Sequence, residues 1–95
     1  MRSASILLEV EKSVEKSYPE ITIYTRPWCG GVLRLKRWLD HRGIPYTEID
    51  ISRDKEAARY VEELNNGYQS VPTMLFDGEH VATEPSTADL ERLLG

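Results

Sequence analysis

Thr22-Ile23-Tyr24-Thr25-Arg26-Pro27-Trp28-Cys29-Gly30-Gly31-Val32 is the stretch that decides the fold. Residues 20–25 are a β-branched and aromatic run and read as a buried strand. Pro27 turns the chain, and the cysteine follows at once. Val32, Leu35 and Leu39 then recur at helical spacing, which predicts a helix over 30–42 with those three on its inner stripe. Cys29 therefore falls at the first turn of a helix. Unpaired backbone N–H groups and the macrodipole favour an anion there. A thiolate is such an anion, and it is the reactive form of cysteine. Arg26 adds a nearby positive charge. In a C-x-x-C site the second cysteine would stand at position 32, and Val32 stands there instead. Cys29 is the only cysteine in the 95 residues, so any thiol chemistry uses one sulfur of the chain's own.

Outward from this stretch the elements follow in order. Residues 4–17 carry Leu7, Val10 and Val14 between charged positions, and predict a helix that ends near Tyr18-Pro19. Gly43 is placed to cap the helix over 30–42 in a left-handed conformation. Residues 45–50 alternate and predict a second strand. Residues 54–65 predict a helix with Ala57, Ala58, Val61 and Leu64 inward, stopped by Asn66-Gly67. Thr73–Phe76 and Glu79–Thr83 predict two strands, and Asp77-Gly78 between them is a strong hairpin signal. A last helix is expected over Thr87–Leu94, with Ser86 and Asp89 forming its N-terminal cap. The first two strands, joined through a helix, should run parallel, and the last two form an antiparallel hairpin. The expected fold is α/β: a four-stranded mixed sheet with helices on both faces, resembling the thioredoxin-like arrangement, plus an N-terminal helix. The expected organisation is a single domain over 1–95, with 1–19 as a helical extension and 20–95 as the core. Cys29 then lies at the carboxyl end of a strand, where α/β sites usually form.

Bulk properties exclude other classes. Apolar residues make up 40% of the chain, in the range of ordered domains. Sixteen acids against twelve bases give a net charge of −4, which argues against nucleic acid or an anionic membrane as partner. No apolar run is long enough to span a bilayer, and no signal-peptide pattern appears. A lone cysteine makes no internal disulfide, so a reducing cytoplasm is the expected compartment. A monomer is expected.

Tyr24-Thr25-x-x-Trp28-Cys29-Gly30 at the head of a helix, Val71-Pro72-Thr73 before a strand and a closing turn into the last helix together resemble a glutaredoxin. The resemblance runs from about Ile21 to Leu94. It is nearest to the mycoredoxin-like glutaredoxins of bacteria that use mycothiol. Their Trp-Cys-Gly-Tyr-Cys-x-Arg-Leu-Lys is similar to Trp28-Cys29-Gly30-Gly31-Val32-Leu33-Arg34-Leu35-Lys36, and their Asn-Pro-Ser to Glu84-Pro85-Ser86. Two departures stand out. Val32 replaces the resolving cysteine, which leaves a monothiol Cys-Gly-Gly-Val site. The Gly-Gly pair with a following Asp, common before the last helix of glutathione-using members, is absent. The resemblance implies a thiol–disulfide oxidoreductase with Cys29 as catalytic nucleophile and no tightly bound cofactor. It implies mycothiol or glutathione as co-substrate and thiol-modified proteins as partners. It also implies a cis Val71-Pro72 bond facing the cysteine, with the Val71 main chain pairing to the backbone of the bound thiol. The substrate-binding residues expected are Arg26, Trp28, Gly30, Val71, Pro72, Ser86 and Thr87.

Several of these residues have a plainer reading beside the functional one. Arg26 is either a solvated charge or a clamp for a substrate carboxylate or the thiolate. Trp28 is either partial core or a lip over the substrate. Arg34, Lys36, Arg37 and Arg42 read first as a solvated basic face and second as a docking surface. Ser86 and Thr87 serve as caps, or offer N–H groups to a carboxylate. His41 lies about three turns beyond Cys29, too far to act as its base, and His80 has no partner in sequence. One cysteine and two separated histidines give no metal-site spacing. A Cys-x5-Arg phosphatase loop fails because Arg34 comes one residue early. The expected function is reduction of mixed disulfides between proteins and a small thiol. The alternatives are an iron–sulfur cluster carrier, in which each of two chains supplies Cys29, and a non-catalytic adaptor.

Overall fold

The strand that carries the site, β1 (Ile21–Thr25), lies inside a four-stranded sheet of order β2-β1-β3-β4, with β2 at Thr47–Asp50, β3 at Thr73–Phe76 and β4 at Glu79–Thr83. The structure is a computed structural model and describes residues 18–95; the helix expected over 4–17 lies outside the described residues. β1 runs parallel to β2, with Thr22 opposite Thr47 and Thr25 opposite Asp50. It runs antiparallel to β3, with Ile21 opposite Phe76 and Tyr24 opposite Thr73. The β3–β4 hairpin turns at Asp77 (φ 52°) and Gly78 (φ 86°). Positive φ at both central residues is the geometry that matches the right-handed twist of the flanking strands.

The helices are α1 (Gly30–His41), α2 (Lys55–Leu64) and α3 (Thr87–Leu94). They cover both faces of the sheet, because β1 presents alternate residues to each. Ile21 and Ile23 pack with Leu35 and Leu39 of α1, Ile44, Met74 and Leu90 of α3. On the other face Tyr24 packs with Ile51, Val61 of α2 and Leu75. Tyr24 and Tyr60 meet edge to face at 5.8 Å. Leu39 is fully buried, and cutting it to alanine would cost about 2–5 kcal/mol. Gly43 (φ 68°) takes the left-handed turn expected of it after α1, and Ile44 N–H closes onto Leu39 O at 3.0 Å.

The α/β architecture matches the expectation, and the one local difference is β2. It starts at Thr47 rather than Pro45, and its exposure does not alternate: Thr47 and Glu48 are exposed, Ile49 and Asp50 half-buried. β2 is an edge strand with one neighbour, which leaves its side chains partly open to solvent; within it Ile49 packs against the core of Tyr24, Ile51, Val61 and Leu75. At its carboxyl end β1 releases Thr25 toward Cys29. β3, antiparallel to β1, begins at the same edge, which brings Val71-Pro72 beside the thiol.

Candidate active site

Cys29 is the N-cap residue of α1, with extended backbone (φ −100°, ψ 118°), and its carbonyl accepts the first helical bond, from Leu33 N–H at 3.0 Å. The sequence placed the sulfur in the first turn; it stands one step earlier, at the mouth of the turn. Its side chain does not cap the helix. The half-buried thiol instead points across to the loop before β3, where Sγ–H donates to Val71 O at 3.9 Å. No acidic residue occupies the first turn of α1, so nothing there opposes the dipole's preference for an anion.

Cys29 separates two hollows. The narrower is about 170 Å³ and is lined by Cys29, Gly31, Arg34, Val71, Pro72, Glu84 and Pro85. The Val71-Pro72 bond is cis, as the resemblance implied. Pro72 O accepts Glu84 N–H at 2.7 Å, tying the two loop walls together. A Cβ added at Gly31 would stand 3.4 Å from Pro72 Cδ and 4.0 Å from Cys29 Sγ. The missing side chain is therefore what keeps this hollow open. It also lets Arg34 fold back along the glycines, its Nη2 being 3.8 Å from that same point. Arg34 and Glu84 bring opposite charges to the hollow, and among the described residues neither is in an ion pair.

The wider hollow, about 580 Å³, is lined by Thr25 through Gly30, then Val32, Leu33, Lys36, Glu48 and Asp50. Lys36 and Glu48 pair at 3.0 Å. The Ser52 hydroxyl and backbone N–H hold the Asp50 carboxyl below the usual carboxylate range, with smaller help from Arg53 and Arg26. Trp28 stands at the rim with its side chain wholly in solvent, 101% exposed, and its backbone left-handed at φ 62°. That conformation costs a non-glycine residue about 1–2 kcal/mol. The fold gains no burial from Trp28 in return, and strain of this kind at a site points to use there.

Of the residues singled out in sequence, Arg26, Trp28 and Gly30 line the wider hollow with Cys29, and Val71 and Pro72 line the narrower. Arg26 is not bonded to the thiol. Its Nη2 donates to Gln69 Oε1, and Gln69 in turn donates to Glu62 at 2.6 Å. The Arg26 Nε is buried without a partner among the described residues. Ser86 and Thr87 line neither hollow. Ser86 caps α3: its hydroxyl accepts Asp89 N–H at 3.1 Å and its own N–H donates to Asp89 Oδ2 at 2.9 Å. Glu84 and Pro85, just before it, line the narrower hollow instead. Arg34, read in sequence as part of a basic face, also belongs to it. The signal that could have placed Arg34 there was the glycine pair one turn earlier, which clears its path. His80 lies on the hairpin, away from the thiol, and His41 is exposed at the end of α1. Among the described residues no three His, Cys, Asp or Glu side chains gather where a metal could be held, and no helix is long and apolar enough to cross a membrane.

Comparison with known proteins gives the geometry its context. The family model described as glutaredoxin matches residues 21–81. A protein of Mycobacterium tuberculosis whose name assigns it to the glutaredoxins is 40% identical over 74 residues, covering 78% of this chain and 88% of its own. Mycoredoxin 1 of Corynebacterium glutamicum is 39% identical over 71 residues, covering 74% of this chain and 86% of its own. Among solved structures, the glutaredoxin-like protein NrdH-redoxin of Escherichia coli superposes with a TM-score of 0.65 at 26% identity, over 80% of this chain and 95% of that one.

Proposed function

This chain belongs to the glutaredoxin family of thioredoxin-like thiol–disulfide oxidoreductases, and from that premise we propose that it reduces mixed disulfides between proteins and a small thiol, with Cys29 as its only nucleophile. The observation that carries this reading is the pairing of one half-buried thiol at a helix start with Val32, buried, where a resolving cysteine would stand. The Cys29 thiolate attacks the small-thiol sulfur of a protein–S–S–thiol disulfide. That S–S bond breaks, the protein departs as thiolate and takes a proton from solvent, and Cys29 keeps the small thiol as a new mixed disulfide. A second small-thiol thiolate then attacks the small-thiol sulfur of that adduct. It leaves as the symmetric small-thiol disulfide and returns Cys29 as thiolate. No step calls for a second cysteine of the chain.

The narrower hollow fits the small-thiol half. Its Val71 main chain lies beside Sγ and can pair with an amide backbone in the manner of an added strand. The wider hollow is left for the protein half. Arg26, Trp28 and Gly30 border that side, and Ser86 and Thr87 support the narrower one through the turn that carries Glu84 and Pro85. Mycothiol is the favoured small thiol, on the similarity to mycoredoxin 1, with glutathione as the other. The same reading takes residues 20–95 as the working unit, 1–19 as an extension, and the protein as a monomer in a reducing cytoplasm, where a lone thiol stays reduced.

The test is steady-state turnover of a cysteinyl peptide capped with mycothiol, against the same peptide capped with glutathione. Turnover of either that depends on Cys29 supports the reading. Turnover of neither, by folded and fully reduced protein, defeats it. The ratio of the two kcat/KM values names the small thiol.

A further inference from the structure

A run of hydrogen bonds lies behind the narrower hollow, and the reaction itself does not use it. Asn65, the residue that ends α2, stands at its centre. Its Nδ2 donates to Val61 O at 2.9 Å and to Thr73 Oγ1 at 3.1 Å. Thr73, fully buried, donates its hydroxyl proton to Ser70 O at 2.7 Å. On the other side Asn65 Oδ1 accepts from Thr83 Oγ1 at 2.6 Å. Thr83 has then given away its proton, so its oxygen can only accept from His80 Nε2, 2.8 Å away. The donors thus point one way throughout, from His80 through Thr83, Asn65 and Thr73 to the Ser70 carbonyl. The same order fixes which end of the Asn65 amide is nitrogen, because only a donor can face Val61 O.

The two hydroxyls that Asn65 joins sit on paired residues, Thr73 opposite Thr83. Each adjoins one wall of the hollow. Thr73 follows Val71-Pro72 and holds Ser70 ahead of them. Thr83 precedes Glu84-Pro85, and Glu84 N–H reaches back to Pro72 O. We propose that Asn65 is the positioning residue of the narrower hollow: one side chain sets the spacing between the Ser70–Pro72 wall and the Thr83–Pro85 wall, and with it the fit of the small-thiol half of the substrate. Asn65 touches neither Cys29 nor the hollow's lining, so it acts through the walls on binding and reaches the sulfur only through the long Sγ–H bond to Val71 O. The inference rests on the functional reading above for its kinetic consequence, and on the hydrogen bonds for its structural one.

Two variants separate it from a plain helix-end role, which Asn65 also fills through Val61 O. Asn65→Ala removes every bond of the side chain. Thr83→Val keeps shape and removes the hairpin's link to Asn65, together with the His80 bond to the same hydroxyl, and Thr83→Ser should restore both. In the full chain, with a glutathione- or mycothiol-capped cysteinyl peptide, Asn65→Ala is expected to raise KM roughly tenfold, the effect of losing one to two hydrogen bonds of ordinary worth. Thr83→Val should raise KM by about threefold on the same scale, with Thr83→Ser close to the parent. The kcat values and the rate of Cys29 alkylation by iodoacetamide should stay within about twofold, since the bond that joins the sulfur to these walls, to Val71 O at 3.9 Å, is long and weak. Amide exchange at Glu84, read by NMR, needs no turnover and should quicken in both Asn65→Ala and Thr83→Val while exchange in β1 holds. An unchanged KM together with unchanged Glu84 exchange in a folded variant overturns the proposal. So does a parallel fall of kcat, alkylation rate and β1 protection in Thr83→Val, which would make the network general scaffolding. Should Asn65→Ala fail to fold, Thr83→Val and its serine counterpart decide the question alone. A parent without turnover would defeat the functional reading, and Glu84 exchange would still judge this one.

Discussion

The two hollows that meet at Cys29 are walled in different ways. The narrower one lies between Arg34 of α1 and two loops, Val71-Pro72 and Glu84-Pro85, that Pro72 O and Glu84 N–H tie together. Behind it stands the Asn65 network. The wider one is lined by Trp28 and Leu33, both exposed, and by the Lys36–Glu48 pair, with no comparable tie between its walls among the described residues. Each hollow has a non-glycine residue in left-handed backbone at its edge, Trp28 on the wide side and Glu84 (φ 52°) on the narrow. Walls tied to each other by hydrogen bonds hold a fixed spacing, whereas a larger hollow rimmed by exposed side chains accepts many shapes. That division suits a substrate with one constant half, the small thiol, and one variable half, the protein.

The largest effect expected on this comparison comes from the atom both hollows share. Cys29→Ser should cut mixed-disulfide reduction by at least about a thousandfold, the scale on which enzymes lose rate with their nucleophile. The thermal midpoint should stay close to that of the parent, because the thiol is only half-buried. Residual turnover near the parent's would dissolve the comparison altogether. Val32→Cys is expected to add an activity where there was none, reduction of dithiol protein disulfides. Position 32 lies on the same helical face as Cys29, and Val32 is buried beside the wider hollow. Mild oxidation should then form a disulfide between Cys29 and the introduced thiol, detectable as a loss of two mass units and of free thiol.

Smaller effects should tell the two sides apart. Gly31→Leu fills the narrower hollow against Pro72. It should raise KM for small-thiol mixed disulfides by about tenfold or more, because the leucine occupies the space the small thiol would take, whatever peptide the thiol caps. Trp28→Gly relaxes the strained backbone and should leave stability unchanged or raise it by about 1 kcal/mol in chemical denaturation. It should weaken protein substrates while sparing short capped peptides. A loss of stability in that variant would show that Trp28 serves the fold. The smallest effect expected is at the foot of the narrow side. Bonds from Ser86 N–H and from Arg92 hold the Asp89 carboxyl below its ordinary range. A lowered folded-state value means that the cap's contribution is present above the unfolded carboxylate range and is lost as pH falls through the lowered value. Asp89→Asn should therefore lower stability slightly in the neutral region, leave the acid end little changed, and so flatten the acid limb of a stability–pH profile.

Much of the fold could be read from the chain because its local signals agree. Asp77-Gly78 gave the hairpin, Ser86 with Asp89 the last cap, Gly43 the end of α1, and the Val32–Leu35–Leu39 spacing its buried stripe. β2 read less well, since an edge strand with one neighbour leaves even its inward residues partly exposed. The thiol and the Val71-Pro72 loop were legible through the motif around them. The roles of Arg34, Glu84 and Asn65 were not. Arg34 joins the narrower hollow only because Gly30 and Gly31 leave room for it to fold back, which is a fact of side-chain packing. Asn65 looked like the end of a helix. Its bonds to Thr73 and Thr83 appear only once β3 and β4 pair beside α2, and no spacing in the chain announces that.

The central claim is that Cys29 takes up the small-thiol half of a mixed disulfide and releases the protein half. Intact-mass analysis of the fully reduced protein, quenched by acid seconds after mixing with a capped cysteinyl peptide, tests it directly. The account predicts a single adduct on Cys29 with the mass of the small thiol, and free peptide thiol in equal amount. An adduct carrying the peptide, or no adduct at all on folded protein, would contradict it.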